Sequence, residues 1–523
     1  MSIKTVPVGV LLERLGNGWK PPHRGLAQEF VETWRGRVGE VEPATVTLDE
    51  NVLYFVTDLS SIHLRGMEQV HCLALAGNGN DLSQISQEYW TRLAAPGRVL
   101  FVLALSETAF AQASSALAEM GCLILPPATV SELLDSEDPK SFIKREMRRQ
   151  LPPRGLIPYS ILLSAEGAMF YGRGEELLRL EQEDQVSFAI AGPSRIGKTS
   201  LAKQYRTRLV RSRHPRAGAT FYIDFSERAD RSADGLARRI AMAIESSNRS
   251  NRMTTDDLVN FLRFQRHNRF DRPIELILDE VDEVCTSSTF ERLAAAAKNG
   301  LCRLILCGRG VLLKSVLRKS SLAQRLELMH MKPLDDTSAR KLISEPLGDY
   351  GLGIREPEQF FERVCRMTGR LPHLVQYYGR RLAELATEQR SDQVGPPDIE
   401  TLHCDYEAAQ YFTSPLADLE ESESRLIAFH LLSSPAGVMS IQQIEATLRS
   451  EGVPEITLER VSDICNDLFI YNVVTWNGDG SFRVANEGLA FYARQLGIID
   501  FPLADARRQL SRGALARADS NGR

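Results

Sequence analysis

Short apolar runs separated by amphipathic stretches set the rhythm of the first third of the chain. Residues 51–57, 71–76, 98–105 and 122–125 are apolar runs of strand length, and 107–120 carries its apolar residues at helical spacing. A strand, a helix and a strand in that order predict a small α/β domain. Residues 137–154 turn charged and then proline-bearing, which reads as a helix followed by a linker and places a boundary near Gly155.

From Gln185 the pattern becomes regular. Strands are expected over 186–191, 219–225, 274–278, 303–307 and 326–331, alternating with helices over 198–211, 233–246, 289–299 and 310–322. Such alternation over five strands predicts a parallel sheet covered on both faces. Beyond Leu334 the pattern is helical to about residue 388. From Ser422 it reads as three helices ending in a hairpin at 477–480, and the small, polar and basic residues 505–523 read as a disordered tail. The expectation is a multidomain α/β protein divided at 1–155, 156–334, 335–415, 416–501 and 502–523.

Composition narrows this picture without changing it. The 523 residues, 43% hydrophobic and 25% charged, exceed what one core usually serves. No stretch approaches the ~20 apolar residues that span a bilayer. The start lacks a secretory pattern, so no membrane and a cytoplasmic location are expected. Eight scattered cysteines, none in a Cys-x-x-Cys pair, point to packed thiols rather than a metal site or disulfide. A net charge of −5 and a pI of about 6.1 give no overall pull toward nucleic acid.

The chemistry is concentrated in two motifs. Gly192-Pro193-Ser194-Arg195-Ile196-Gly197-Lys198-Thr199, followed by Ser200, lies after one predicted strand and opens a helix. A loop in that place turns backbone N–H groups around phosphate oxygens, and the helix N-terminus adds partial positive charge. Gly197 allows close approach, Lys198 is suited to the β- and γ-phosphates, and Thr199 offers a hydroxyl to magnesium. Pro193 has no N–H and cannot be a donor. About 80 residues on, the predicted strand 274–278 ends in Asp279-Glu280, the pairing in which one carboxylate holds Mg2+ and the next polarises the attacking water. The carboxylates that follow, Asp282 and Glu283, read as the start of the next helix. Arg309, after the strand 303–307, is a candidate for sensing the γ-phosphate, with a solvated turn arginine as the alternative. ATP and Mg2+ are therefore the expected ligands.

Together with Phe170-Tyr171-Gly172-Arg173 upstream and Gly369-Arg370-Leu371-Pro372 downstream, these motifs resemble the AAA-like STAND ATPases, including the archaeal and origin-recognition-like forms. The resemblance covers roughly residues 159–501. It implies that 156–334 is the ATPase core, 335–415 a helical lid and 416–501 a winged helix. It further implies that Gly172 and Arg173 lie near the adenine and ribose, and that Pro372 reports nucleotide state. Here Gly174 displaces the family's acidic residue to Glu175. In a winged helix the third helix can enter DNA, but residues 457–467 carry Glu459, Asp463 and Asp467 against Arg460, a sign that repels phosphates. A protein-contacting or autoinhibitory role is favoured. The arginines at 206, 208, 211, 213 and 216, and at 263, 266 and 269, read as solvated faces.

Residues 98–134 resemble the latter half of Mrr-like restriction endonucleases. That chemistry needs an aspartate followed by a strand bearing Glu-x-Lys or Gln-x-Lys. Asp49, Asp58 and the strand 71–76 offer no lysine at that spacing, so an architectural domain is expected. The expectation for the whole is an ATP-hydrolysing switch in signalling or defence, acting through a homo-oligomer or protein partner. The rivals are a DNA-loading or transposition-type ATPase and a nuclease-linked one.

Overall fold

A computed structural model describes residues 24–48, 52–59, 70–76, 99–117, 122–151, 156–157, 159–161, 163–165, 167–226, 232–245, 250–285, 288–312, 326–402, 406–419, 421–453, 456–495 and 503–509. The chain forms two compact units. One comprises Met1–Tyr159, Ile343–Pro357 and Gly379–Asp398, and the other Ser160–Leu342, Glu358–Tyr378 and Ile399–Arg523. The helical stretch 335–415, expected as one body, is shared between them.

The first unit is built on a sheet in the order β1-β3-β4-β5-β6, with β2 also pairing β3. Strands β1 (Glu40–Val41), β2 (Thr47–Leu48) and β3 (Val52–Asp58) are antiparallel, whereas β4 (Val70–Leu75), β5 (Val99–Ala104) and β6 (Leu123–Leu125) run parallel. Parallel strands are buried on both faces, which is why β4 is apolar throughout. Helix α1 (Arg24–Arg37) packs Phe30 and Trp34 on Phe55, and α2 (Glu107–Leu117) links β5 to β6. After α3 (Pro127–Asp135) comes α4 (Pro139–Gln150), capped by Asp138, whose Arg148 bonds the carbonyls of Gly351 and Ser391. The Tyr159 hydroxyl donates to the Ile343 carbonyl at 2.7 Å. Arg148 and Tyr159 thus draw distant segments into this unit, which periodicity cannot foresee.

The second unit holds a five-stranded parallel sheet in the order β11-β7-β10-β9-β8. Its strands are β7 (Phe188–Ala191), β8 (Thr220–Asp224), β9 (Ile274–Asp279), β10 (Cys302–Gly308) and β11 (Glu327–His330). The pairing of Gly308 with Ala191 and of Leu306 with Leu278 aligns the C-terminal ends of β7, β10 and β9 on one edge. On one face, Leu276, Leu278, Leu304 and Leu306 join a core with α7 (Ala233–Ile244), α8 (Thr255–Asn268) and α9 (Ser288–Lys298). Helix α8 was not among the expected elements. On the other face α5 (Gly174–Gln182) packs on α6 (Lys198–Arg211), and Glu275 of β9 is paired with Arg303, Tyr205 and Thr220 in a buried network. The expected helix 310–322 is helical at 310–312 and otherwise lies outside the described residues.

Helices α10 (Asp336–Asp349), α11 (Pro357–Thr368), α12 (Pro372–Glu388), α13 (Pro396–Leu402) and α14 (Tyr406–Ala417) follow, with β12 (Gly353–Ile354) and β13 (Gln393–Val394) pairing within the first unit. The last elements are α15 (Ser422–Ser433), β14 (Val438–Ser440), α16 (Ile441–Ser450), α17 (Leu458–Ile470), β15 (Val474–Trp476), β16 (Ser481–Val484) and α18 (Glu487–Gln495). Their three strands form an antiparallel sheet in the order β14-β16-β15. The expected tail is corrected in part: residues 503–509 are helical, with Ala506 buried and Arg507 bonded to Glu451. Ala506 gives this stretch an apolar anchor that a reading from composition overlooks.

Candidate functional site

The loop between β7 and α6 is shaped by its glycines. Gly192 donates its N–H to the Gly308 carbonyl, and a Cβ there would lie 3.0 Å from Met331. Gly197, at φ +105°, caps α6 in a conformation that other residues rarely adopt. Lys198 is buried, and its Nζ donates to the carbonyls of Gly192 (3.0 Å) and Pro193 (2.9 Å). Burial lowers its proton affinity, opposed by the carboxylates Glu280, Asp282 and Asp279 and by Cys307. Lysine and acid pair therefore feel one another's charge although they lie far apart in sequence.

Period-2 alternation along β9 turns Glu275, Ile277 and Asp279 to the face opposite the leucines. Asp279 is buried and accepts from the Tyr222 hydroxyl at 2.7 Å and from the Glu280 N–H at 3.0 Å. The next residue, Glu280, adopts φ +54°, and burial raises its carboxyl above the ordinary glutamate range, with Lys198 pulling the other way. Tyr222 escaped the reading from sequence. Its signal is positional, since it lies on β8 with Ile277 as its partner on β9.

A cleft of about 270 Å3 is lined by Ser194, Arg195, Ile196, Gly197, Lys198, Thr199 and Ser200, by Arg173 and Glu280, and by Pro372 and His373. Ile161, Met169, Phe170, Leu334 and Leu342 add an apolar part. Several expected residues do something other than foreseen. Ser200 accepts from the Ala165 N–H and so holds the segment that precedes Gly172. The buried guanidinium of Arg173 donates to the carbonyls of Ile196 (3.2 Å) and Lys332 (2.7 Å) and pairs with Glu176, so it braces the phosphate loop. Gly172, at φ +69°, could not carry a Cβ, which would lie 2.6 Å from that of Ser338. Arg195 sits at φ +61° with its guanidinium over the Tyr411 ring.

Asp282 lies in a short 3-10 turn, Val281–Glu283, ahead of α9, and its side chain serves another segment. Its carboxylate accepts from the N–H groups of Arg309 and Leu312, so it caps the segment after β10. The Arg309 side chain reaches Asp418 at 3.1 Å and Asp282 at 3.8 Å. Asp418, which follows α14, is a second residue that the sequence did not reveal. Burial raises its carboxyl, with Arg309 and then Lys198 acting against it.

On α17 the charges are not presented as expected. Arg460 pairs with Glu421 and Glu423, and Asp467 is buried against Ser424. Leu458, Ser462, Asn466 and Phe469 instead line an apolar groove with Trp476 of β15. Of the clustered arginines, Arg208 pairs with Glu181 and Arg216 bonds the Glu181 carbonyl, while Arg266 and Arg269 bond the carbonyls of Phe270 and Ile244. The described cysteines are free, and no helix among the described residues is long and apolar enough to cross a membrane.

Residues 152–395 match the family model described as Novel STAND NTPase 1, a span that holds the loop, the acid pair and the 369–372 turn. No curated protein matches the chain. Among solved structures, the Walker-type ATPase paby2304 of Pyrococcus abyssi is similar at 16% identity with a TM-score of 0.44, over 64% of this chain and 99% of that one. The ORC2 protein of Aeropyrum pernix is similar at 14% identity and a TM-score of 0.44, over 65% and 97%. The RuvB Holliday junction branch migration motor of Thermotoga maritima is similar at 16% and 0.35, over 65% and 99%.

Proposed function

We propose that the STAND/AAA-like P-loop ATPase core carried by this chain binds and hydrolyses ATP, and that nucleotide state switches the exposure of its C-terminal helices to a partner or a second copy. The observation that carries the reading is the alignment of β7, β10 and β9, which sets Lys198 among the carboxylates of Asp279 and Glu280 on one sheet edge. The residues fit the expected ligand: a loop bent by Gly197, a buried ammonium, and a buried carboxylate across from it suit a metal-bound polyphosphate. Thr199 and Asp279 would hold magnesium, which supplies charge neutralisation at the phosphate oxygens. Glu280 accepts the proton of the attacking water, and its raised proton affinity suits that task at neutral pH.

The switch reading draws on Arg309, which joins the strand end beside this site to Asp418. By the family resemblance, the second unit's share of residues 335–415, including Glu358–Tyr378, acts as a lid and 416–501 as a winged helix. The apolar groove along α17 favours a protein partner over duplex DNA. Calorimetry with Mg-ATP tests the core of the proposal. Lys198→Ala is expected to abolish binding, whereas Glu280→Gln keeps binding and lowers turnover ~100-fold or more. The absence of any heat of binding with the intact protein would overturn it.

A further inference from the structure

Helix α12 opens beside the phosphate loop, and the residue after its first proline is His373. The imidazole is only 5% exposed and lines the same cleft as Lys198 and Thr199. Neither Nδ1 nor Nε2 has a hydrogen-bond partner. The backbone groups of Tyr411 and Arg195 lie close enough to favour a charged ring, but without the geometry of a bond. Native proteins keep few buried polar atoms in this condition, and those they keep often serve a ligand. The N-terminus of a 17-residue helix adds partial positive charge at the same place.

We propose that the imidazole of His373 is the group by which α12 meets the phosphates of the bound nucleotide, an inference that rests on the nucleotide reading of this cleft. The phosphates are favoured over the base because the cation acting on the ring is Arg195 of the phosphate loop, while the apolar wall of Ile161, Phe170 and Leu334 suits a base. Burial and then the Arg195 cation push the ring down to about 3, so it is neutral at physiological pH. The titratable and charged groups around it are Arg195 on the loop, Tyr411 on α14 and Tyr377 on its own helix, with Tyr171, Arg173, Lys198 and Glu280 on the same cleft. Phosphates bring negative charge against both causes of that depression. The ring then gains a proton on binding, and because the bound state holds more protons, affinity rises as pH falls.

Titration calorimetry of the full chain with Mg-ADP and Mg-ATP, in buffers of differing ionisation enthalpy, reads this directly. The wild type is expected to take up part of a proton and to bind more tightly as the pH falls from about 8 to about 6. His373→Ala is expected to weaken binding at least ~10-fold. His373→Gln, which keeps an N–H donor, recovers part of that affinity but none of the proton uptake, a distinction that a purely structural role would not produce. Proton uptake in His373→Gln equal to that of the wild type, or unchanged affinity in His373→Ala, would overturn the proposal. If Lys198→Ala loses binding while the His373 variants match the wild type, only this inference falls. If the wild type binds neither nucleotide, the nucleotide reading falls and this goes with it.

Discussion

Glu280 and Arg173 show how much of a residue's role is set by its surroundings. A glutamate at the end of a strand is ordinarily solvated and ionised at neutral and mildly acidic pH, but here burial raises its carboxyl against the pull of Lys198. Only the ionised form can accept a proton from water. The acid limb of kcat/KM for ATP hydrolysis is therefore expected above the usual glutamate range near 4.3, with activity lost as pH falls through it. A pH-rate profile checks this, and a limb at or below that value would show that Glu280 is not the base. Arg173 was legible as a motif residue, but its partners were not. Its two carbonyl acceptors belong to Ile196 and Lys332, and only the folded chain brings them to one guanidinium.

Elements carry the site through their ends. The turn between α11 and α12 places Gly369 and Arg370 in succession at φ +58° and +60°, and the Arg370 carbonyl accepts from the Leu334 N–H. That turn aims the start of α12, with Pro372 and His373, at the phosphate loop. A Cβ on Gly369 would lie 2.8 Å from that of Asn486, so substitution brings both a disfavoured backbone and a clash. Gly369→Ala is expected to cost about 1–2 kcal/mol for the backbone alone. The thermal midpoint should fall by roughly 2–8 °C, and differential scanning fluorimetry reads that change. An unshifted midpoint would mean that α12 tolerates another entry angle. The longer strands and several helices were readable because their periodicity follows from which face each one buries. Helix α8 was missed, and its own pattern carries Thr254 as an N-cap with acidic residues in the first turn.

For the molecule as a whole, the question is what the nucleotide moves. Arg309 ties Asp282, which caps the segment after β10, to Asp418 at the approach to the C-terminal helices. An arginine drawn toward a γ-phosphate would leave Asp418 half-buried without its cation, which disfavours the docked arrangement. Size-exclusion chromatography should therefore separate the ADP-bound chain from the chain bound to a slowly hydrolysed ATP analogue. Asp418→Ala is expected to elute like the latter even with ADP, and identical elution of all three would end the switch reading. The groove on α17, with Leu458 75% exposed and Trp476 48% exposed, is the surface such a change would offer.

Local pattern alone determined the alternation of strands and helices in the parallel sheet, α8 apart, together with the phosphate loop and the acid pair, because each depends on residue types at fixed spacing. The tertiary structure decided which carboxylate meets which cation. Tyr222 on Asp279, Asp418 on Arg309, and His373 beside Arg195 are pairings across tens to hundreds of residues. Charge and hydrogen bonding act through distance in space, and spacing along the chain encodes that distance only within a turn or a strand.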